Sequence, residues 1–87
     1  MEKIIEKFIK DNNLDFSGTG SGLNSACTIL SGYALYIGAE NTEEIKKVLP
    51  EDSHKEFDRV FEYADYNNYG DYWTSEEAKK MYVITEI

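Results

Sequence analysis

The 87-residue sequence has very few of the residues that most often carry chemistry, with one cysteine and one histidine. The single cysteine, Cys27, excludes an internal disulfide and any metal site built from cysteines alone, and we expect it to be a small buried side chain. The single histidine, His54, has no cysteine or serine partner in a recognisable catalytic pattern, and zinc binding is equally unsupported. We therefore expect a protein that is not an enzyme.

Long apolar runs and basic residues are also scarce. No apolar run has the length of a membrane span, and the N-terminal residues lack the apolar segment of a signal peptide. The sequence has nine lysines and arginines and seventeen aspartates and glutamates, which gives a net charge of -8. This charge repels nucleic acid and anionic membranes and favours basic partners or cations. We expect a single cytoplasmic domain, residues 1–87, that contacts neither nucleic acid nor a membrane directly.

Apolar residues recur at helical spacing along most of the chain. The pattern predicts a mainly α fold, a small bundle of about five helices near residues 2–11, 24–37, 42–49, 52–65 and 74–82. A capping box of Thr74 and Glu77 marks the start of the last helix. The expected core consists of Ile5, Phe8, Ile9, Leu23, Ile29, Leu30, Tyr33, Ile37, Ile45, Val48, Leu49, Phe57, Val60, Phe61, Ala64, Ala78 and Met81.

The segment of residues 24–37 is ambiguous. Every second position from Ile29 to Ile37 follows the alternation of a strand, whereas six apolar side chains of the segment share one helical face. Gly38 follows as a suitable residue for the end of a helix. We favour the helix, and an α+β fold with a hairpin or short sheet from residues 14–37 is the alternative.

Negative charge is concentrated in residues 51–77, which carry nine acids and only two bases, whereas residues 1–38 are nearly neutral. On a helix, four of these acids fall within about 60° of one another. They lie beside an apolar stripe formed by Phe57, Val60, Phe61 and Ala64. They are Glu51, Asp58, Glu62 and Asp65. We predict that they form an acidic edge that binds a basic partner. The alternative is a solvated face that keeps the protein soluble.

Four tyrosines recur at every third position of the same region, from Tyr63 to Tyr72. Tyrosine and tryptophan are enriched at protein interfaces because they supply contact area at a small cost in conformational entropy. We expect Tyr63 and Tyr72 to line the core. We expect the other three aromatic residues and one aspartate among them to bind a basic surface through cation–π contacts and ion pairs. They are Tyr66, Tyr69, Asp71 and Trp73.

Residues 65–76 resemble the calcium-binding loop of the EF-hand family. The first, third, sixth and twelfth positions hold residue types that this loop uses, namely Asp65, Asn67, Gly70 and Glu76. The resemblance implies a calcium ion bound by the aspartate, the asparagine and the glutamate. Tyr69 departs from the family because the fifth position normally supplies an oxygen. A second, weaker match at residues 13–24 ends in asparagine rather than glutamate.

As a whole, the chain resembles the small acidic anti-defence proteins of phages and mobile elements, which include anti-CRISPR and antirestriction proteins. The resemblance rests on length, acidity, an abundance of Lys, Asn, Ile and Tyr, and the lack of catalytic residues. It implies an inhibitor in the host cytoplasm that needs no cofactor and occupies the basic surface of a nucleic-acid-binding effector, as DNA mimics do. The alternatives are an EF-hand-like calcium-binding module and a helical domain with another partner.

Overall fold

The computed structural model describes residues 2–84 and contains five α-helices in that range. They are α1 (Glu2–Asp11), α2 (Ser21–Ile37), α3 (Thr42–Lys47), α4 (His54–Tyr66) and α5 (Glu76–Met81). Three short 3₁₀ segments lie between them, at Ala39–Asn41, Glu51–Ser53 and Tyr69–Thr74. The predicted mainly α fold is confirmed. The hairpin alternative for residues 14–37 is wrong, because the described part of the chain contains no strand.

Helix α2 is the central element of the structure. It packs against α4 and against the 3₁₀ segment Tyr69–Thr74, and eight of its seventeen residues are buried. A helix that is buried around most of its circumference has apolar residues on several faces, so its sequence lacks a single clear stripe. This explains why the segment also fits the alternation of a strand. The helix begins at Ser21, one turn before the predicted start, after Gly20 with a φ of 72°.

A cluster of aromatic rings joins α1 and α2 to the C-terminal part of the chain. The ring of Phe8 in α1 stacks on Tyr33 of α2 with the centroids 3.8 Å apart. Trp73 is only 3% exposed, and its ring centroid lies 5.6 Å from that of Phe8 and 4.7 Å from that of Tyr82. Aromatic rings bury large areas and gain from these offset and edge contacts. The cluster therefore holds elements together that lie far apart in sequence.

Most of the predicted core is buried as expected. Five of its members, Ile9, Leu23, Ile29, Val48 and Phe61, are only partly buried and pack against the others. The prediction for Met81 is wrong, because its side chain is 66% exposed in the last turn of α5. Phe16 was absent from the prediction and is buried, since it lies in a loop where no helical periodicity marks it.

The start of α5 differs by one residue from the predicted capping box. Ser75 is the residue before the helix, and its hydroxyl accepts a hydrogen bond from the backbone N–H of Ala78 at 3.2 Å. The hydroxyl of Thr74 instead donates to the carbonyl of Asp71 at 2.8 Å. The capping box of Thr74 with Glu77 is therefore wrong, because Thr74 belongs to the preceding 3₁₀ segment.

Candidate protein-binding surface

The exposed side of α4 carries three of the predicted acidic residues, Asp58, Glu62 and Asp65. Successive turns of the helix place Asp58 and Glu62 about 6 Å apart along the axis, with Asp65 a further ~4.5 Å along. Glu62 and Asp65 make no ion pair with any residue of the described range. Glu51 is also exposed, although it lies in the 3₁₀ turn before the helix. We call these four residues the acidic edge.

Asp58 differs from the other members of the acidic edge because it is already paired. Lys46 of α3 contacts its carboxylate at 3.1 Å and also lies 3.4 Å from Glu43. The hydrogen bond with Asp58 is the main reason that the pKa of Lys46 is raised. Asp58 thus connects α3 to α4, and part of its charge is neutralised within the protein.

A similar internal pair reduces the positive charge beside the acidic edge. Arg59 donates a hydrogen bond from Nε to Oε1 of Glu56 at 2.7 Å, and this bond lowers the pKa of Glu56. Asn24 of α2 also donates to Glu56, at 3.4 Å. Because Arg59 is engaged in this way, Glu62 and Asp65 remain the uncompensated charges on this side of α4.

The tyrosines of this region are more exposed than their neighbour Trp73. Tyr66 is 85% exposed and Tyr63 is 60% exposed, while Tyr69 and Tyr72 are 36% and 39% exposed. The expectation that Tyr63 and Tyr72 line the core is therefore wrong. Trp73, which the sequence also placed among the partner-binding residues, is not exposed, because its ring lies in the aromatic cluster of the core.

The physical reason is a change of helix type after α4. Asn68 has a left-handed backbone with a φ of 57°, which ends the α-helical register. In the 3₁₀ segment that follows, residues three apart lie on the same side, so Tyr69 and Tyr72 both face outward. Trp73, one residue later, is turned inward against Gly32 of α2. Spacing in the sequence predicted the shared face of the tyrosines, but it did not indicate which face is buried.

These tyrosines border three adjoining hollows. The first has a volume of about 320 Å³ and is apolar, with Gly32, Tyr69, Tyr72 and Trp73 among its lining residues. The second, of about 290 Å³, shares Tyr69 and Thr28 with the first. The third, of about 410 Å³, shares Tyr63 and Arg59 with the second and is also lined by Glu62 and Tyr66. We call these three adjoining hollows together the tyrosine groove.

Residues 65–76, which resemble an EF-hand loop in sequence, do not have the conformation of a calcium-binding loop in this structure. Asp65 lies in the last turn of α4 and Glu76 begins α5, while the side-chain amide of Asn67 donates to the carbonyl of Tyr63 at 2.8 Å. Gly70 provides no left-handed turn; instead, an added Cβ there would lie 2.8 Å from Cβ of Leu35. Among residues 2–84, no group of three or more His, Cys, Asp or Glu side chains is placed to hold a metal ion.

Cys27 and His54 have structural surroundings. The thiol of Cys27 is fully buried, and burial is the main reason that its pKa is raised to about 11. Such a thiol is almost entirely protonated at neutral pH and is a poor nucleophile. His54 stands at the first position of α4 with Nε2 3.2 Å from the carbonyl oxygen of Leu49. The expectation of a small buried cysteine is confirmed.

Comparison with known proteins finds no significant similarity. No protein-family model matches the chain, and no curated protein or solved structure is significantly similar to it. Within the described range, none of the helices combines the length and the apolar composition needed to cross a bilayer.

Proposed function

We propose that the protein is a non-enzymatic inhibitor that binds a basic, nucleic-acid-binding surface of another protein, as the DNA-mimicking anti-defence proteins that it resembles do. The observation that carries the proposal is the pair of carboxylates of Glu62 and Asp65, which form no ion pair within residues 2–84 and lie next to the exposed Tyr66 on α4. Tyr66 is 85% exposed and so contributes little to the packing of the fold. Charge and an exposed aromatic ring at the same place suit recognition of arginine and lysine.

The spacing of the acidic edge supports this proposal. Its three members on α4, Asp58, Glu62 and Asp65, follow one another at intervals of about 6 Å and about 4.5 Å along the helix axis. A basic groove that holds nucleic acid presents lysine and arginine side chains to a line of phosphate charges, and a line of carboxylates offers those side chains similar partners. Long-range attraction between the two surfaces speeds their encounter, whereas contacts of Tyr66 at short range slow their separation.

The test takes nucleic-acid-binding proteins as the pool of partners. A nuclease-treated bacterial lysate is passed over heparin, and the retained proteins are offered to the immobilised protein at low salt. We expect some of them to bind, and we expect both double-stranded DNA and rising salt to release them, because exposed ion pairs are screened within about 8 Å at physiological ionic strength. Binding that neither DNA nor salt weakens would contradict the proposal.

Charge reversal on α4 identifies the surface. The double variant Glu62→Lys/Asp65→Lys should slow association with the captured partner by at least about tenfold, because it replaces attraction by repulsion. Tyr66→Ala should mainly speed dissociation. The matched control is Glu2→Lys/Glu6→Lys, which changes the net charge by the same amount on α1. Equal weakening by both double variants would mean that only the total charge matters, and the acidic edge would then have no specific role.

A further inference from the structure

The indole of Trp73 has an unused hydrogen-bond donor beside the apolar hollow. Its N–H donates to no residue of the described range. Within residues 2–84, Ser31 Oγ is the only side-chain nitrogen or oxygen atom that is both buried and without a hydrogen-bond partner. Because the indole nitrogen also has no partner, it must be accessible to solvent. The nitrogen lies against Gly32, and both residues line the first hollow of the tyrosine groove. A molecule in this hollow would therefore find a mainly apolar wall that includes the indole N–H as a donor.

Gly32 provides the space for the indole that lines this hollow. A side chain at this position would overlap the indole nitrogen and come within 2.7 Å of Cε2 of Trp73. The rest of the wall consists of Thr28, Ile29 and the rings of three tyrosines, Tyr69, Tyr72 and Tyr82. A partly open hollow of about 320 Å³ is large enough for one aliphatic or aromatic side chain.

The charges around the groove select a basic occupant. Glu62 lines its far end together with Tyr66, whereas Asp71 is exposed outside the lining, in the segment that carries Tyr69 and Tyr72. The one cation in the lining, Arg59, is hydrogen-bonded to Glu56. An elongated occupant must therefore bring an apolar group to the hollow at Trp73 and a positive charge to the end at Glu62 and Tyr66.

We propose that the tyrosine groove binds an extended segment of the basic partner, with an apolar side chain in the hollow beside Trp73 and an arginine or lysine on Tyr66 and Glu62. A backbone carbonyl of the segment accepts the indole N–H hydrogen bond. This inference rests on the proposed function, because it names the part of the partner that the acidic surface attracts. Three adjoining hollows in a row suit a chain rather than a compact small molecule.

The single tryptophan makes the groove directly observable. The probe is an acetylated and amidated pentapeptide, Arg-Arg-Leu-Arg-Arg, added while Trp73 fluorescence is recorded at low salt. We expect a saturable change, with binding at least about tenfold tighter than that of Arg-Arg-Gly-Arg-Arg, because only the leucine peptide buries an apolar side chain. Equal affinity of the two peptides would overturn the inference. So would an equal response to N-acetyl-leucinamide alone, which would indicate a site for small apolar molecules.

Variants separate the groove from the acidic edge. Thr28 is exposed and lines two hollows, so Thr28→Arg should block the groove without entering the core and should weaken binding of the leucine peptide at least tenfold. Ser25→Arg, at an exposed position of α2 outside the lining, is the matched control. If Glu62→Lys/Asp65→Lys abolishes binding of the captured partner and Thr28→Arg leaves it unchanged, the groove inference is overturned and the proposed function stands. If neither variant weakens that binding, both are overturned.

Discussion

Replacing Gly32 by alanine tests the packing of α2 against Trp73. In the interior of a helix this substitution normally stabilises a protein by about 1 kcal/mol, because alanine has the higher helix propensity. At Gly32 the new methyl group would overlap the indole nitrogen of Trp73, with Cε2 at 2.7 Å and Cδ1 at 3.0 Å. Heavy atoms pack at about 3.5–4.0 Å, so relieving the overlap with the indole nitrogen requires the indole to move by about 1.5–2 Å.

The magnitude follows from what restrains the indole. Phe8 and Tyr33 contact it on one side and Tyr82 on another, so a displacement disturbs a closely packed cluster. Overpacking of this kind costs about 1–3 kcal/mol, and expelling the indole altogether would cost about 3–5 kcal/mol. Because the overlap is large, we take the upper end of the overpacking range, about 3 kcal/mol, and subtract the gain of about 1 kcal/mol in helix propensity. We therefore expect Gly32→Ala to reduce the free energy of unfolding by about 2 kcal/mol.

The matched control is Gly22→Ala in the same helix. An added methyl group at Gly22 meets no atom within 4 Å, so this variant should be as stable as the wild type or slightly more stable. Urea titration followed by Trp73 fluorescence gives both free energies, and the melting temperature of Gly32→Ala should fall by at least about 5 °C. If Gly32→Ala were as stable as Gly22→Ala, Trp73 could not be packed against α2 as described.

Three further predictions concern other buried or loop residues. Ser31→Ala should raise the free energy of unfolding by about 1 kcal/mol in urea titration, because the Ser31 hydroxyl is buried without a partner in the described range. Ser53→Ala should lower it by about 0.5–1.5 kcal/mol, because the Ser53 hydroxyl donates to the carbonyl of Pro50 at 2.6 Å. A Ser31→Ala variant less stable than Ser53→Ala would refute this prediction. Alkylation of Cys27 by iodoacetamide at pH 8 should be at least about a hundredfold slower in the native protein than in urea, and equal rates measured by mass spectrometry would show that the thiol is accessible. Millimolar calcium should leave the melting temperature unchanged, and a rise that Glu76→Gln removes would instead support an EF-hand-like site.

Helical periodicity was sufficient to predict the five helices because each buries an apolar stripe or, in α2, most of its surface. The boundaries of α1 were predicted correctly at both ends, since charged residues surround one compact stripe. The start of α2 was placed too late because Gly20 and Gly22 suggested a loop. Gly20 does adopt a left-handed backbone, but Gly22 is already part of the helix. Composition alone does not distinguish these two glycines.

The roles of the aromatic residues could not be predicted from the sequence in the same way. Trp73 and Tyr72 are neighbours of similar polarity, yet one is buried and the other lies at the rim of the tyrosine groove. The difference depends on Gly32, which lies some forty residues earlier and provides the space that the indole occupies. Long-range complementarity of this kind has no periodic signal, so the core position of Trp73 and the groove beside it were both missed.

The separation between the aromatic core and the exposed tyrosines makes fold and binding independently testable. The core rings of Phe8, Tyr33 and Trp73 contact one another, so substitutions there change stability. Tyr66 and Glu62 lie on the exposed side of α4, where substitutions usually change stability by less than about 0.5 kcal/mol. Neither the exposed ring of Tyr66 nor the nearby carboxylate of Glu62 contributes much to the stability of the fold. Loss of partner binding in Tyr66→Ala at unchanged melting temperature would therefore report on recognition alone.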